Sequence, residues 1–260
     1  MKVDYAEVLS FLFEMGEVFS RRDCGLILAG FRPLPSERAR YQFARRLERQ
    51  KWIEPVGPEP DGRYRITAAT VRRLPVLRPE ESWGRAWDGK WRIVSYDLPE
   101  SRRRERQLLW RALRARKLGL LQRSVWIWPH PVEPVLESVL ESTGVPECFV
   151  GFEAKRVFLC TVAEVVTTAW DWKEIARRQR VYLEQTDLRD GSLRQCQDVA
   201  ALVRQARVES SAFQSAFSLD PLLPRALWPE DYLGPEVERR HEAWRTVARR
   251  RWSELSREGC

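Results

Sequence analysis

The sequence predicts an α+β multidomain protein in three parts: a winged helix-turn-helix over residues 1–78, a ferredoxin-like βαββαβ domain over 90–165 and a helical C-terminal domain over 166–260. Three observations carry that expectation. Residues 90–131 run from an apolar strand ending in Asp97-Leu-Pro-Glu, through an Arg-crowded amphipathic segment, into the β-rich Leu120-Leu-Gln-Arg-Ser-Val-Trp-Ile-Trp-Pro, the first half of a β-α-β-β-α-β unit. Upstream lies a very different basic helical segment at 36–51, and from Trp170 onward the pattern is helical.

Element by element, Val8, Leu9, Leu12, Phe13 and Met15 share one face of a helix over 3–19. Ser20 is placed to cap a second helix over 21–30, and Gly30 with the following Phe-Arg-Pro-Leu-Pro predicts a turn. Ser36 offers an N-cap oxygen to a third helix that runs to about Gln50. Trp52-Ile-Glu-Pro-Val and Arg63-Tyr-Arg-Ile-Thr read as strands around a Gly-Pro-Glu-Pro-Asp-Gly tip, which completes the winged layout. Pro75, Pro79 and Gly84 mark a linker over 75–89. The central part then reads as strand 90–97, helix 101–117, β-segments within 120–128, helix 132–142 and strands within 148–162. The remainder breaks at Asp220-Pro-Leu-Leu-Pro and Gly234-Pro and closes in a helix over 236–256, with Trp244, Ala248, Trp252 and Leu255 on its buried side.

A chain of 260 residues, 43% hydrophobic and 32% charged, can bury ordinary cores and is not disordered. Nearly all of its net charge of +8 falls in residues 21–73, which hold twelve Arg and one Lys against six acids. That local excess points to a polyanionic partner, double-stranded DNA first, although a solvated basic surface gives the same count. The five cysteines, Cys24, Cys148, Cys160, Cys196 and Cys260, form no Cys-x-x-Cys pair, and His130 and His241 have no partner at metal-ligand spacing. This speaks against a zinc site or a disulfide framework and for a reducing cytoplasm. No apolar run approaches the roughly 18–20 residues of a membrane span. The expectation is a cytoplasmic protein with no membrane partner, no metal and no resident cofactor.

On a wheel of residues 36–50, Ala39, Phe43 and Leu47 form the core stripe, and Arg38, Tyr41, Gln42, Arg45 and Arg49 fall opposite. Long planar donors on one helix face suit base edges in a major groove, and a Tyr suits phosphate or methyl contact. Arg63, Tyr64 and Arg65 lie near the wing strands, where they would reach the backbone or minor groove. A second helix repeats the theme, with Leu108, Leu109, Ala112 and Leu113 inward and Arg103, Arg104, Arg111 and Arg114 outward. Asp97 sits at a strand end where a metal ligand could project, but only Glu100 and Glu105 accompany it, among arginines. Capping the Arg-rich helix is the expected role of Asp97. Trp126, Trp128, Trp170 and Trp172 are read as core residues, an aromatic small-molecule pocket being the alternative. No nucleophile arrangement or phosphate loop is present, so no enzyme activity is expected.

The chain resembles the PaaX family, bacterial repressors of phenylacetate catabolism, over nearly its whole length. The resemblance rests on Ser36-Glu-Arg-Ala and Arg46-Leu47 leading to Trp52, on Trp91-Arg-Ile-Val-Ser-Tyr-Asp-Leu-Pro-Glu and on Leu121-Gln122 with Val125-Trp126-Ile127. Ala169-Trp170-Asp171-Trp172, Asp220-Pro-Leu-Leu-Pro and Trp228-Pro extend it. It implies a winged-helix head, a ferredoxin-like domain similar to the small CRISPR-associated nuclease subunit, and a helical tail. It also implies a homodimeric repressor that releases operator DNA on binding an aryl-acetyl-CoA thioester. The chain departs from the family at Arg40-Tyr41, where Val-Arg is usual, and at Lys51, where Gly is usual. A metal-dependent nuclease with Asp97 as a ligand is the competing functional class.

Overall fold

The computed structural model describes residues 5–16, 18–31, 36–57, 63–74, 76–145, 149–186 and 191–258. The expected tip at 58–62, the turn at 32–35, Pro75, Cys148 and Cys260 lie outside the described residues. The chain divides into two compact units, one formed by residues 1–77, 182–215 and 236–260, the other by 78–181 and 216–235. The helices expected to make a third domain over 166–260 are therefore shared between these two units. Their apolar faces find partners far away in sequence, which local periodicity does not report.

In the first unit, α1 (Tyr5–Met15), α2 (Arg21–Phe31) and α3 (Glu37–Arg49) precede a sheet of order β1-β3-β2, made by Phe19–Ser20, Arg63–Ile66 and Ile53–Pro55 respectively. All its pairings are antiparallel, with Phe19 opposite Tyr64 and Ile53 opposite Ile66. Ser20 does cap α2: its Oγ accepts from the Asp23 N–H (3.1 Å), and Asp23 returns the bond to the Ser20 N–H (2.7 Å). After the short α4 (Ala68–Val71), the chain re-enters this unit at Tyr182, in the last turn of α9 (Trp172–Gln185), and continues through α10 (Ser192–Gln195), α11 (Val199–Ala216) and, from Glu236 on, α12 (Gly234–Glu258). One core joins Val8, Leu12, Ile27, Leu47 and Ile53 to Leu202, Val203 and Ala248. Gly30 lies inside α2 rather than in a turn. A Cβ there would stand 2.4 Å from the Val203 side chain, so only glycine lets α2 and α11 come this close. Deeper in, the Glu209 carboxylate accepts from the Tyr182 hydroxyl and faces His241 Nδ1 at 2.8 Å, with Phe213 stacked on the His241 ring.

In the second unit, α5 (Pro79–Trp83) occupies the expected linker and buries Trp83. The strands β4 (Trp91–Tyr96), β5 (Gly119–Gln122), β6 (Val125–Trp128) and β7 (Phe149–Ala154) form an antiparallel sheet of order β5-β6-β4-β7. With α6 (Arg103–Ala115) between the first two strands and α7 (Glu133–Thr143) before the last, this is the βαββαβ order. Alternation along each strand divides the side chains between two faces. Val94, Tyr96 and Trp126 meet Leu109, Leu113 and Val139 of α6 and α7 on one face. Ile127, with Trp91, Val166 and Trp170, builds the core that α8 (Val162–Ala169) joins on the other. Trp126 and Trp170 are thus in separate cores, so the four Trp residues considered as an aromatic pocket do not line one. Leu108, expected in the α6 core stripe, is 47% exposed, the stripe being centred on Leu109 and Leu113.

Two buried polar groups tie this unit together. Arg92 binds Asp88 (2.7 Å), Glu153 (3.1 Å) and the Pro129 carbonyl (3.3 Å), joining β4 to β7 and to the end of β6. Its hydrogen bond is the main reason the Asp88 carboxyl is held at about 2. Asp220 accepts from Gln179 (2.8 Å), Tyr232 (2.7 Å) and the Leu222 N–H (2.8 Å), and Tyr232 in turn accepts from Trp83 Nε1 (3.1 Å). Burial pushes its carboxyl above the usual carboxylate range, against the downward pull of those donors and of Lys117. Asp220-Pro-Leu-Leu-Pro is therefore a structural device. Asp220→Ala should cost about 3–5 kcal/mol, because three buried donors lose their acceptor, whereas Tyr232→Phe should cost about 1 kcal/mol. Urea unfolding followed by tryptophan fluorescence compares the two, and equal small costs would contradict this reading.

Candidate nucleic-acid interface

The helix α3 forms because Glu37–Arg49 contains strong helix formers and neither Gly nor Pro. It buries Phe43, Ala44 and Leu47, and exposes Arg38, Tyr41, Gln42, Arg45 and Arg49. The structure thus gathers all five expected reading residues on one solvent-facing surface. The side chain of Ala39, expected in the buried stripe, lies outside the described set. Arg45 Nε donates to Tyr41 Oη at 3.1 Å, and its guanidinium stands 5.5 Å from the Tyr41 ring centroid. That contact, one turn apart, pre-orients a donor fork beside an aromatic ring.

Rigidity comes from a residue that the sequence reading did not single out. Tyr5 stacks on Phe43 (5.7 Å between centroids), meets Trp52 edge-on (5.5 Å) and accepts a hydrogen bond from Arg46 Nη1 (2.8 Å). Arg46 therefore anchors α3 to α1 and is not among the outward donors. The one available signal was an aromatic side chain at the start of an amphipathic helix, which is too common to point at α3.

On the two strands beside it, period-two alternation turns Arg63 and Arg65 outward and Tyr64 and Ile66 inward, so Tyr64, expected to reach a nucleic acid, is instead a core residue. Arg63 is exposed, next to the undescribed tip. Arg65 differs from expectation, because its Nε donates to Glu54 Oε1 at 2.6 Å across the registered Glu54–Arg65 pair. Cross-strand pairing places the two side chains face to face, so part of the Arg65 charge is compensated, although both groups are well exposed and the pair is weak.

The exit of α3 shows what the backbone asks of position 51, where the resemblance leads one to expect glycine and this chain has Lys. Trp52 N–H donates to the Leu47 carbonyl (3.0 Å) and Lys51 N–H to Glu48 (2.9 Å), a Schellman-type closure. Lys51 holds φ at +56°, the left-handed conformation that glycine adopts without strain.

The second basic helix, α6, exposes Arg103, Arg104, Arg111 and Arg114, with the Arg114 guanidinium 5.5 Å from the exposed Trp110 ring. Asp97 does not cap it, because a 3₁₀ turn over Glu100–Arg102 intervenes and the N-cap position is Arg102. Glu100 is bound by Arg106 (3.0 Å) and Glu105 by Arg102, so the carboxylates near Asp97 face guanidinium groups. Among the described residues, no group of three His, Cys, Asp or Glu could hold a metal ion. No described helix is long and apolar enough to cross a membrane.

A four-stranded βαββαβ sheet stands in one chain with a basic helix-and-hairpin head, and comparison finds a likeness for the sheet domain. Residues 84–166 match the PaaX protein central Cas2-like domain. Over these residues the chain is similar to the central domain of the PaaX family, in line with the resemblance in its sequence. No curated protein matches the chain. Among solved structures, the uncharacterized protein Rv0674 from Mycobacterium tuberculosis is similar at 18% identity with a TM-score of 0.59, covering 96% of this chain and 99% of that one. At that identity the likeness shows the fold alone.

Replacing Lys51 by glycine should relieve the left-handed strain and stabilise the chain by about 0.5–1 kcal/mol, while Lys51→Val should destabilise it. Thermal unfolding of the two variants reads the sign, and the opposite order would show that Lys51 is unstrained.

Proposed function

We propose that this chain is a DNA-binding transcriptional regulator of the PaaX type, a repressor, with α1–α3 and the β2–β3 hairpin acting as a winged helix-turn-helix. One observation carries the reading: α3 turns Arg38, Tyr41, Gln42, Arg45 and Arg49 to solvent while Phe43, Ala44 and Leu47 hold it in the core. In this reading α3 enters the major groove, Gln42 and Arg45 address base edges, and Arg63 reaches backbone or minor groove. The protein acts in the cytoplasm as a homodimer, because one winged helix reads too short a site for adequate specificity. It does no catalysis, and the nuclease alternative lacks support in the guanidinium groups that face the carboxylates around Asp97.

Duplex binding should weaken steeply with salt as neutralised phosphates release counterions. Arg45→Ala should cost roughly 1–3 kcal/mol and relax specificity, whereas Arg63→Ala should weaken all sequences alike. Arg65→Ala should do less than Arg63→Ala, because Glu54 already compensates its charge. Gel shifts at two salt concentrations decide this. Affinity indifferent to salt and to all three substitutions would sink the reading, as would magnesium- or manganese-dependent cleavage that vanishes in Asp97→Ala.

The effector belongs to the same proposal. A small acyl-CoA thioester would lower DNA affinity by binding the DNA-free form more tightly, and a tenfold loss needs about 1.4 kcal/mol of such preference. The first unit holds a cavity of about 260 Å³ lined by Leu193, Arg194, Val208, Ala212 and Trp244, among others. Its size suits an aryl or short acyl group and not a whole CoA, whose nucleotide would lie outside. With a panel of thioesters, quenched tryptophan emission together with released duplex supports an effector of this class. If every thioester leaves both signals unchanged, the family's effector does not act on this chain.

A further inference from the structure

We infer that the outward face of α6 is a binding surface for single-stranded nucleic acid, separate from the face that α3 presents. The inference does not rest on the reading of α3 as a recognition helix.

On a wheel of α6, Arg103, Gln107, Trp110, Arg111 and Arg114 fall within about 100° of one another, and Arg104 borders them. All of these are exposed, while Leu109 and Leu113 hold the other side in the core. The cations on this face are not neutralised locally. Glu105, the one acid of α6, is bound by Arg102, and Glu100 ahead of it by Arg106 (3.0 Å). Arg104, Arg111 and Arg114 form no ion pair among the described residues. The neighbouring α7 meets α6 through Arg116, which binds the Ser138 and Ser142 hydroxyls (2.8 and 3.2 Å). Arg116 lies about 120° around the wheel from Trp110, so α7, with Glu133, Glu137 and Glu141, flanks the other side.

Four arginines alone would make an ordinary solvated face. Trp110 sets this one apart. It is 41% exposed in the middle of the basic stripe, where a polar side chain would be better hydrated. The buried Trp126 meets its ring edge-on at 6.5 Å, and the Arg114 guanidinium stands 5.5 Å from its centroid. The indole is thus held in place among cations, the combination that serves as a stacking platform for bases.

Length and chemistry select the occupant. Arg103 to Arg114 spans about 16 Å along the helix axis, at about 1.5 Å per residue. That is the length of about five nucleotides of one stacked strand, at about 3.4 Å each. The guanidinium groups match its phosphates, and the indole matches the π-face of a base. A duplex offers the same phosphates, but its base faces are covered by their neighbours in the stack, which leaves Trp110 unmatched. An acidic polypeptide offers carboxylates and no such face. A single strand satisfies cations and indole together.

Fluorescence anisotropy of a labelled oligothymidylate of about 15 nucleotides, titrated with the full chain at several salt concentrations, tests this. If Arg103, Arg104, Arg111 and Arg114 each neutralise one phosphate, log affinity falls with log salt at a slope of about −2.8. Arg111→Ala with Arg114→Ala should flatten that slope by about 1.4. Trp110→Ala should weaken binding about tenfold at fixed salt, and Trp110→Phe should recover most of the loss, because the smaller ring still stacks. Arg45→Ala, on α3, should leave it unchanged. Thermal midpoints equal to wild type show that the arginine variants and Trp110→Phe are folded. Absence of oligothymidylate binding at low salt overturns the inference. So does binding that Arg45→Ala weakens as much as the α6 variants do, or that keeps wild-type strength in Trp110→Ala. Competition in the Arg45→Ala chain gives a further check. Polyglutamate displacing the oligothymidylate as well as unlabelled strand does would mark an acidic protein partner, and an unrelated duplex doing so would mark a plain phosphate surface; either result overturns the inference. Duplex affinity measured on the same samples separates the two proposals. A chain that binds the single strand through α6 and ignores duplex counts against α3 alone, and the reverse counts against α6 alone.

Discussion

The grip of Tyr5 on α3 is the constraint on which the rest of the account depends. A helix that presents five long polar side chains to solvent cannot fix its own position through them. It needs its other side held without play. Phe43, Ala44 and Leu47 supply burial, and Tyr5 supplies direction by stacking on Phe43, bracing Trp52 and accepting from Arg46. Ring stacking adds about 0.5–1.5 kcal/mol beyond area burial, and the exposed Arg46 bond adds less, so the grip matters more for geometry than for stability. The family-like Arg46-Leu47 leading to Trp52 thereby acquires a physical meaning: one anchor, one core residue and one wall.

The central sheet solves a different problem, that of holding a buried charge. Arg92 lies in the sheet with its guanidinium shared among Asp88, Glu153 and a carbonyl, and an unpaired charge at that depth would be costly. Asp220 does the reverse, gathering donors from Gln179, Tyr232 and its own turn around one carboxyl. Each is a polar node in an apolar setting, and each favours one arrangement of its segments over near alternatives.

Local pattern made much of this legible. The α3 faces and the strand alternation were readable because a 3.6-residue or two-residue period records which side is buried. What escaped the sequence is what depends on distant partners. Gly30 reads as a turn signal, yet its role is to admit Val203, and nothing near residue 30 announces that. The tail reads as a domain of its own, although Leu202, Val203 and Ala248 pack with Val8 and Ile27. Arg65 reads as a free cation until strand register sets Glu54 opposite it. Trp126 and Trp170 look like companions in sequence but belong to cores on the two sides of one sheet.

A fixed basic helix beside an outward Arg63, joined to a PaaX central domain, makes sequence-specific duplex recognition the central claim. Selection of bound duplexes from a random pool by the purified full chain tests it most directly. The account predicts enrichment of one short motif in two half-sites related by two-fold symmetry, spaced by about 10–10.5 base pairs or a multiple of it. A pool that stays random after repeated rounds, with the protein folded, would contradict it.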